Sequence, residues 1–176
     1  YSEYMKAALH DGMYCMPLAF AFPEDDFARR VEDEVMIGES LLIAPVYEQN
    51  ARGRYVYLPE EMLQVRVKCS ESNRIETSVL PAGHHYIPVE LDEVVFFVRK
   101  GHLLPLAKDG KKIQSVADVD FADLRLLAYA PDGASYEYYT DDGETKDYDK
   151  SEHFVHIMLD ADGNAKCDRA TVKVEG

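Results

Sequence analysis

From Arg54 onward the hydrophobic residues alternate with polar ones, and short turns cut the alternation at even intervals. Tyr55 and Tyr57 alternate with Val56 and Leu58 before Pro59-Glu60-Glu61. Leu63, Val65 and Val67 then alternate with Gln64, Arg66 and Lys68. Successive side chains on a strand point to opposite faces, so a period of two marks strands with one buried face. Residues 74–80 and 84–89 read as further strands around Pro81-Ala82-Gly83, and 94–99 as another, ended by Lys100-Gly101. Residues 103–106 are short and apolar around Pro105, and 108–112 form a polar loop. Strands at 124–130 and 135–140 are punctuated by Pro131-Asp132-Gly133 and Asp141-Asp142-Gly143, and 153–160 with 165–174 predict a hairpin around Asp162-Gly163. Strands this short, with turns this regular, predict an antiparallel β-sandwich.

The first part of the chain reads differently. Residues 2–10 predict a helix capped by Ser2 and ended by Asp11-Gly12, with Tyr4, Met5, Ala8 and Leu9 on one face. Residues 13–22 are an apolar run interrupted by Pro17. Pro23-Glu24-Asp25-Asp26 then opens a second predicted helix, with Phe27, Val31, Val35 and Met36 on one face and Gly38 at its end. Residues 41–46 are apolar on both faces, as a strand covered from both sides would be. Strand, helix and strand over 15–46 predict one parallel βαβ unit, so the architecture changes just past Val46.

Charge narrows the partners. The 176 residues carry 33 acids against 19 bases, a formal charge of −14. Such a surface repels nucleic acid and anionic membranes. The three cysteines, Cys15, Cys69 and Cys167, are far apart and form no CxxC pair, which argues against zinc and fits a reduced, cytoplasmic compartment. No signal peptide is visible, and the apolar stretches fall short of the ~20 residues of a membrane helix. Trp is absent and there are 12 Tyr, so a carbohydrate platform would have to be built from tyrosine.

Candidate chemistry is sparse. His84-His85 could ligate a metal, but neighbours on a strand face opposite ways. His153 and His156 lack helical ligand spacing, and His10 and His102 stand alone, so all six read as strand or surface histidines. Asp141-Asp142-Gly143-Glu144 reads as a tight turn before it reads as a calcium loop. Asp160-Ala161-Asp162-Gly163-Asn164 begins like an EF-hand loop, but Ala165 replaces the required Gly. Glu32 and Glu39 could be paired as glycosidase carboxylates, yet among 33 acids that choice is nearly free. No catalytic, substrate-binding or metal residue is therefore assigned. The Tyr-rich strand with Tyr136, Tyr138 and Tyr139 leaves a sugar-binding or subunit-contact module open, beside simple cross-strand packing.

Five segments carry a resemblance. Met16-Pro17-Leu18-Ala19-Phe20-Ala21-Phe22-Pro23-Glu24-Asp25 is similar to R-P-L-F-x-E-F-P-x-D, and residues 36–46 to Q-F-x-x-G-x-S-L-L-V-A-P-V. Arg54-Tyr55-Val56-Tyr57-Leu58-Pro59 is similar to R-x-V-Y-L-P, residues 95–106 to P-x-F-V-R-x-G-x-I-I-P, and Tyr139-Thr140-Asp141-Asp142-Gly143-Glu144-Thr145 to Y-x-D-D-G-E-T. In this order they resemble the C-terminal part of glycoside hydrolase family 31, the α-glucosidase and α-xylosidase family. Met16 replaces the usual Arg, Ala21 replaces Glu, and the Trp after the L-P-x-G turn is missing. The resemblance implies three regions: the end of a (β/α)8 barrel over 1–48, a proximal β-sandwich over 49–130, and the start of a distal β-domain over 131–176. It implies a retaining parent enzyme that needs no cofactor and whose two catalytic Asp residues lie on earlier barrel strands. This chain would then be inactive alone. Its partners would be its own barrel, a carbohydrate substrate reached through the parent, and a possible second copy.

Overall fold

The computed structural model describes every residue except 72, 73, 109–118, 121, 142, 143, 145, 170–172 and 176. Two compact units emerge, Cys15–Lys100 and Tyr1–Tyr14 with Gly101–Gly176.

The chain begins with α1 (Ser2–Leu9), as its apolar spacing predicts. Ser2 does not cap it; Tyr1 is the N-cap, and Ser2 Oγ instead accepts the Tyr139 N–H at 2.9 Å. The Tyr4 face is not a core face, for Tyr4 is exposed and no residue of α1 is fully buried.

In Cys15–Lys100, β1 (Cys15–Pro17) leads directly into α2 (Leu18–Ala21). A 3-10 turn at Ala28–Arg30 comes next, then β2 (Val35–Ile37) and β3 (Leu41–Ile43). Here the structure corrects two predictions. The long helix of residues 27–36 shrinks to that one 3-10 turn. Asp25 Oδ1 accepts the N–H groups of Phe27 at 2.8 Å and Ala28 at 3.1 Å, which opens this turn as an N-cap does. Val31 is already extended. The βαβ unit is likewise replaced by antiparallel pairing of β1 with β2 and of β2 with β3. Gly38, at φ +58°, supplies the left-handed position for the tight turn between β2 and β3. The apolar run at 41–43 reports a strand interior to a sheet, and that says nothing about strand direction.

The remaining strands are β4 (Gly53–Leu58), β5 (Met62–Lys68), β6 (Arg74–Leu80), β7 (Gly83–Pro88) and β8 (Glu93–Arg99). The large sheet runs β1-β2-β3-β8-β5-β6, and β4 pairs with β7 in a separate ribbon. Register places Met36, Leu42 and Phe97 in one row across β2, β3 and β8. These residues cluster with Val56, Leu58 and Ile87 of the ribbon and with Leu18 and Ala28. Each of the larger side chains, Ala28 apart, contributes about 1.5–3 kcal/mol of transfer free energy. The ribbon needs Gly53, because a Cβ there would lie 2.5 Å from Ile87 O.

The other unit adds β9 (His102–Ala107), β10 (Asp123–Tyr129), β11 (Ala134–Tyr139), β12 (Phe154–Leu159), β13 (Ala165–Cys167) and β14 (Lys173–Glu175). They form two three-stranded sheets, β14-β10-β9 and β11-β12-β13. The predicted hairpin is β12–β13, but its second arm ends at Cys167, and Lys173–Glu175 instead pairs parallel with β10. Leu103, Leu124, Leu126, Tyr136, Tyr138, Val155 and Ile157 make the core. Of the predicted segment 49–130, β4–β8 lie in one unit and β9 and β10 in the other. Among the described residues no helix is long and apolar enough to cross a membrane.

Candidate functional site

The third motif segment, residues 54–59, is the hub of its unit. Strand alternation turns Val56 and Leu58 into the core and leaves Tyr57 to the opposite side; Arg54, at the start of the strand, shares the parity of Val56 and Leu58. Arg54 Nη1 donates to Asp33 O at 3.1 Å and Pro45 O at 2.8 Å, and Nε donates to Tyr55 O at 3.0 Å. Its Nη2 lies 2.6 Å from Asp33 Oδ2 and 3.9 Å from Glu34 Oε1. One guanidinium thus ties the segment before β2 and the end of β3's extension to the ribbon. Its five fixed donors suit it to such a junction.

Glu34 is buried, at 5% exposure. Oε1 accepts the Tyr57 N–H at 2.8 Å, and Oε2 has no hydrogen-bond partner among the described residues. Burial pushes its carboxyl up to about 7, against the opposing pull of the Tyr57 N–H and Arg54. Asp25 is tied to the same tyrosine, the Tyr57 hydroxyl donating to Oδ2 at 2.7 Å. Burial would raise Asp25, but bonds from Tyr57, Ala28 and Phe27 outweigh it and hold the carboxyl below its usual range. The Tyr57 phenol is pushed up to about 12 by burial and by that carboxylate.

Two further ion pairs fix the sheet. Arg99 Nε lies 2.6 Å from Glu60 Oε1, with its guanidinium 4.7 Å from the Phe22 ring centre. Arg66 Nη1 lies 2.8 Å from Glu93 Oε2 and donates to Pro88 O at 2.9 Å. Arg66 and Glu93 border an open concavity of about 1070 Å³, together with Lys68 and Glu90, which stand 3.5 Å apart. These four charges pair off along its wall. Glu34, the one carboxyl here held near neutral pH, lines neither this concavity nor the smaller one beside Tyr55. A shifted carboxyl is a candidate acid or base, but a sealed one clamped between a backbone N–H and an arginine is a structural tie.

Glu32 and Glu39, the carboxylates paired from sequence, are both exposed, and the buried carboxyl between them, Glu34, was missed. His85 Nε2 lies 2.8 Å from Pro81 O, while His84 is exposed on the other face of β7. His153 Nε2 lies 2.7 Å from Asp147 O, and His156 Nδ1 lies 2.9 Å from Asp168 Oδ2. His10 Nε2 lies 3.2 Å from Glu137 Oε1. Among the described residues no group of three His, Cys, Asp or Glu is placed to hold a metal. Asp160 closes its own turn, accepting the N–H groups of Asp162 at 3.0 Å and Asn164 at 2.8 Å. Of the acidic turn, Asp142 and Gly143 lie outside the described residues; Asp141 Oδ2 accepts from Tyr1 at 2.8 Å and Tyr139 at 2.7 Å. Tyr136, Tyr138 and Tyr139 are buried, so that strand presents no sugar platform.

Ion pairs of part-buried arginines tie loops to sheets in Cys15–Lys100. The chain belongs to glycosyl hydrolase family 31: the model of the family's C-terminal domain matches residues 12–104, more than half of the chain. Neutral alpha-glucosidase AB of Mus musculus is 30% identical over 141 residues, covering 79% of this chain and 14% of that protein. An alpha-xylosidase of Saccharolobus solfataricus is also 30% identical over 141 residues, covering 79% of this chain and 18% of that protein. The fold matches the GH31 alpha-xylosidase of Xanthomonas citri with a TM-score of 0.71 at 22% identity, over 100% of this chain and 18% of that one. The chain therefore spans less than a fifth of the length of these relatives.

Proposed function

We propose that the chain is the C-terminal portion of a retaining α-glucosidase-type glycoside hydrolase, supporting hydrolysis of terminal α-linked glucose without itself carrying the catalytic carboxylates. The match of residues 12–104 to the family's C-terminal domain carries this reading. The geometry supports it, because the motif residues Asp25, Arg54, Tyr57 and Arg99 all serve as internal ties. The family match starts at residue 12, and β1–β3 belong to an antiparallel sheet. We accordingly assign only residues ahead of β1 to the barrel of the parent, and β1 through β14 to its proximal and distal β-domains. Three free thiols, two of them exposed, accord with a reduced, cytoplasmic setting. Assay of the full-length parent on p-nitrophenyl α-glucoside, p-nitrophenyl α-xyloside and malto-oligosaccharides tests the proposal. Turnover of the glucoside is the expected result; inertness on all three sinks it.

The second reading, a carbohydrate-binding or self-associating module, loses the support of Tyr136, Tyr138 and Tyr139 with their burial. It regains support from a different set of tyrosines.

A further inference from the structure

We propose that the outer face of the β4–β7 ribbon binds an α-linked gluco-oligosaccharide. Only the choice of sugar rests on the function proposed above; the site itself rests on the ribbon. Alternation sends Val56, Leu58 and Ile87 inward and leaves Tyr55, Tyr57, His84 and Tyr86 on the other side. Register sets Tyr55 opposite Tyr86 and Tyr57 opposite His84. The first pair meets edge to face, ring centres 5.2 Å apart, and stays in water, at 74% and 54% exposure. The second pair lies 4.8 Å apart and is joined by Phe27, 5.7 Å from Tyr57 and 56% exposed. Two aromatic clusters therefore succeed one another a strand repeat apart, about 7 Å. That step is comparable with the advance of a gluco-oligosaccharide by one to two rings.

Aromatic rings gain free energy by leaving water, so a contiguous strip of exposed ones marks a binding surface. A cleft of about 330 Å³ adjoins the first pair, at the small end of the range for ligand sites. Asp33, Arg54 and Tyr47 line it. Asp33 Oδ2 is fixed 2.6 Å from Arg54 Nη2 and accepts from the Tyr47 hydroxyl at 3.4 Å. The half-exposed Asp33 carboxylate and the phenols of Tyr47, Tyr55 and Tyr86 offer acceptors and donors for hydroxyl groups beside flat rings for C–H faces, with Arg54 holding the carboxylate in place. The chain's charge of −14 opposes a phosphorylated or acidic ligand and puts no barrier before a neutral, hydroxyl-rich one.

Isomaltotriose and maltotriose titrated separately into the 176-residue chain, monitored by NMR of labelled tyrosine rings, test this. The expected result is saturable shifts of Tyr55 and Tyr86 with a dissociation constant of ~1 mM for at least one sugar, weakened roughly tenfold in Y55A/Y86A. The double variant should keep its melting temperature, and Y4A, at the exposed tyrosine of α1, should bind as the unaltered chain does. Absence of shifts at tens of millimolar sugar, or equal binding by Y55A/Y86A, overturns the proposal. Self-association that the double variant abolishes overturns it too, by making a second copy the occupant. Binding of sugar here with an inert parent would refute the proposed function and spare the site; an active parent with no binding here would do the reverse.

Discussion

The two units are held by different chemistry. In Cys15–Lys100, guanidinium groups span between elements: Arg54 to Asp33 and Glu34, Arg66 to Glu93, Arg99 to Glu60. In the other unit, tyrosines take that place. The Tyr136 hydroxyl bonds the Glu3 carboxylate, and Lys6 Nζ lies 3.9 Å over the same ring. The Tyr139 hydroxyl lies 2.7 Å from Asp141 Oδ2 and 2.8 Å from Tyr148 O. Burial, then the neighbouring carboxylates, push both phenols above their ordinary value, so they stay neutral donors wherever the protein is folded. The ties of the first unit should therefore feel pH near neutrality through Glu34, and these two tyrosine ties should not.

Removing Arg54 should break the contrast most severely. Arg54→Ala leaves Asp33 and buried Glu34 without their cation, and should cost about 3–5 kcal/mol at pH 8 in urea denaturation. The loss should shrink at pH 5, where Glu34 carries a proton. A loss below about 1 kcal/mol at pH 8 would mean that the guanidinium is not the junction.

The pH profile comes next. Folding raises the Glu34 carboxyl from 4.5 to about 7, so the folded chain binds the proton more tightly than the unfolded one. The resulting stabilisation is full below 4.5 and is lost as pH rises through 7, about 3 kcal/mol in all. Glu34→Gln should flatten that window, because the amide keeps an acceptor for the Tyr57 N–H. An unchanged profile would assign the titration elsewhere.

Tyr136→Phe is the matching change in the other unit. It removes a bond to a carboxylate and should cost about 1.5–3 kcal/mol, equally at pH 5.5 and pH 8. A strong pH dependence in calorimetry would erase the distinction between the units. Least of all, Tyr55→Ala should shift stability by about 0.5 kcal/mol or less, since its ring lies in water.

The same contrast governs what the sequence made legible. Strands β4 to β8 and β10 to β12 were readable because most keep one wet face, which leaves a period of two. The segment ahead of them was not. Leu41, Leu42 and Ile43 lie inside a sheet, and an apolar run records coverage, not direction. The helical spacing of Phe27, Val31 and Val35 was real, but the turn that Asp25 opens ends at Val31, which is already extended. Glu34 escaped notice among three consecutive acids, although it shares strand parity with Met36, which is 1% exposed. Tyr55 and Tyr57 were seen alternating with Val56 and Leu58, but the alternation alone could not say which set faces the core.

On the function proposed above, the motifs of this chain build support and not a hydrolytic centre. The direct measurement is turnover of p-nitrophenyl α-glucoside and maltotriose by the 176-residue chain alone, beside Glu34→Gln. Both preparations should melt cooperatively, and neither should hydrolyse either compound above the buffer rate. Saturable hydrolysis by the chain, abolished in Glu34→Gln, would contradict it.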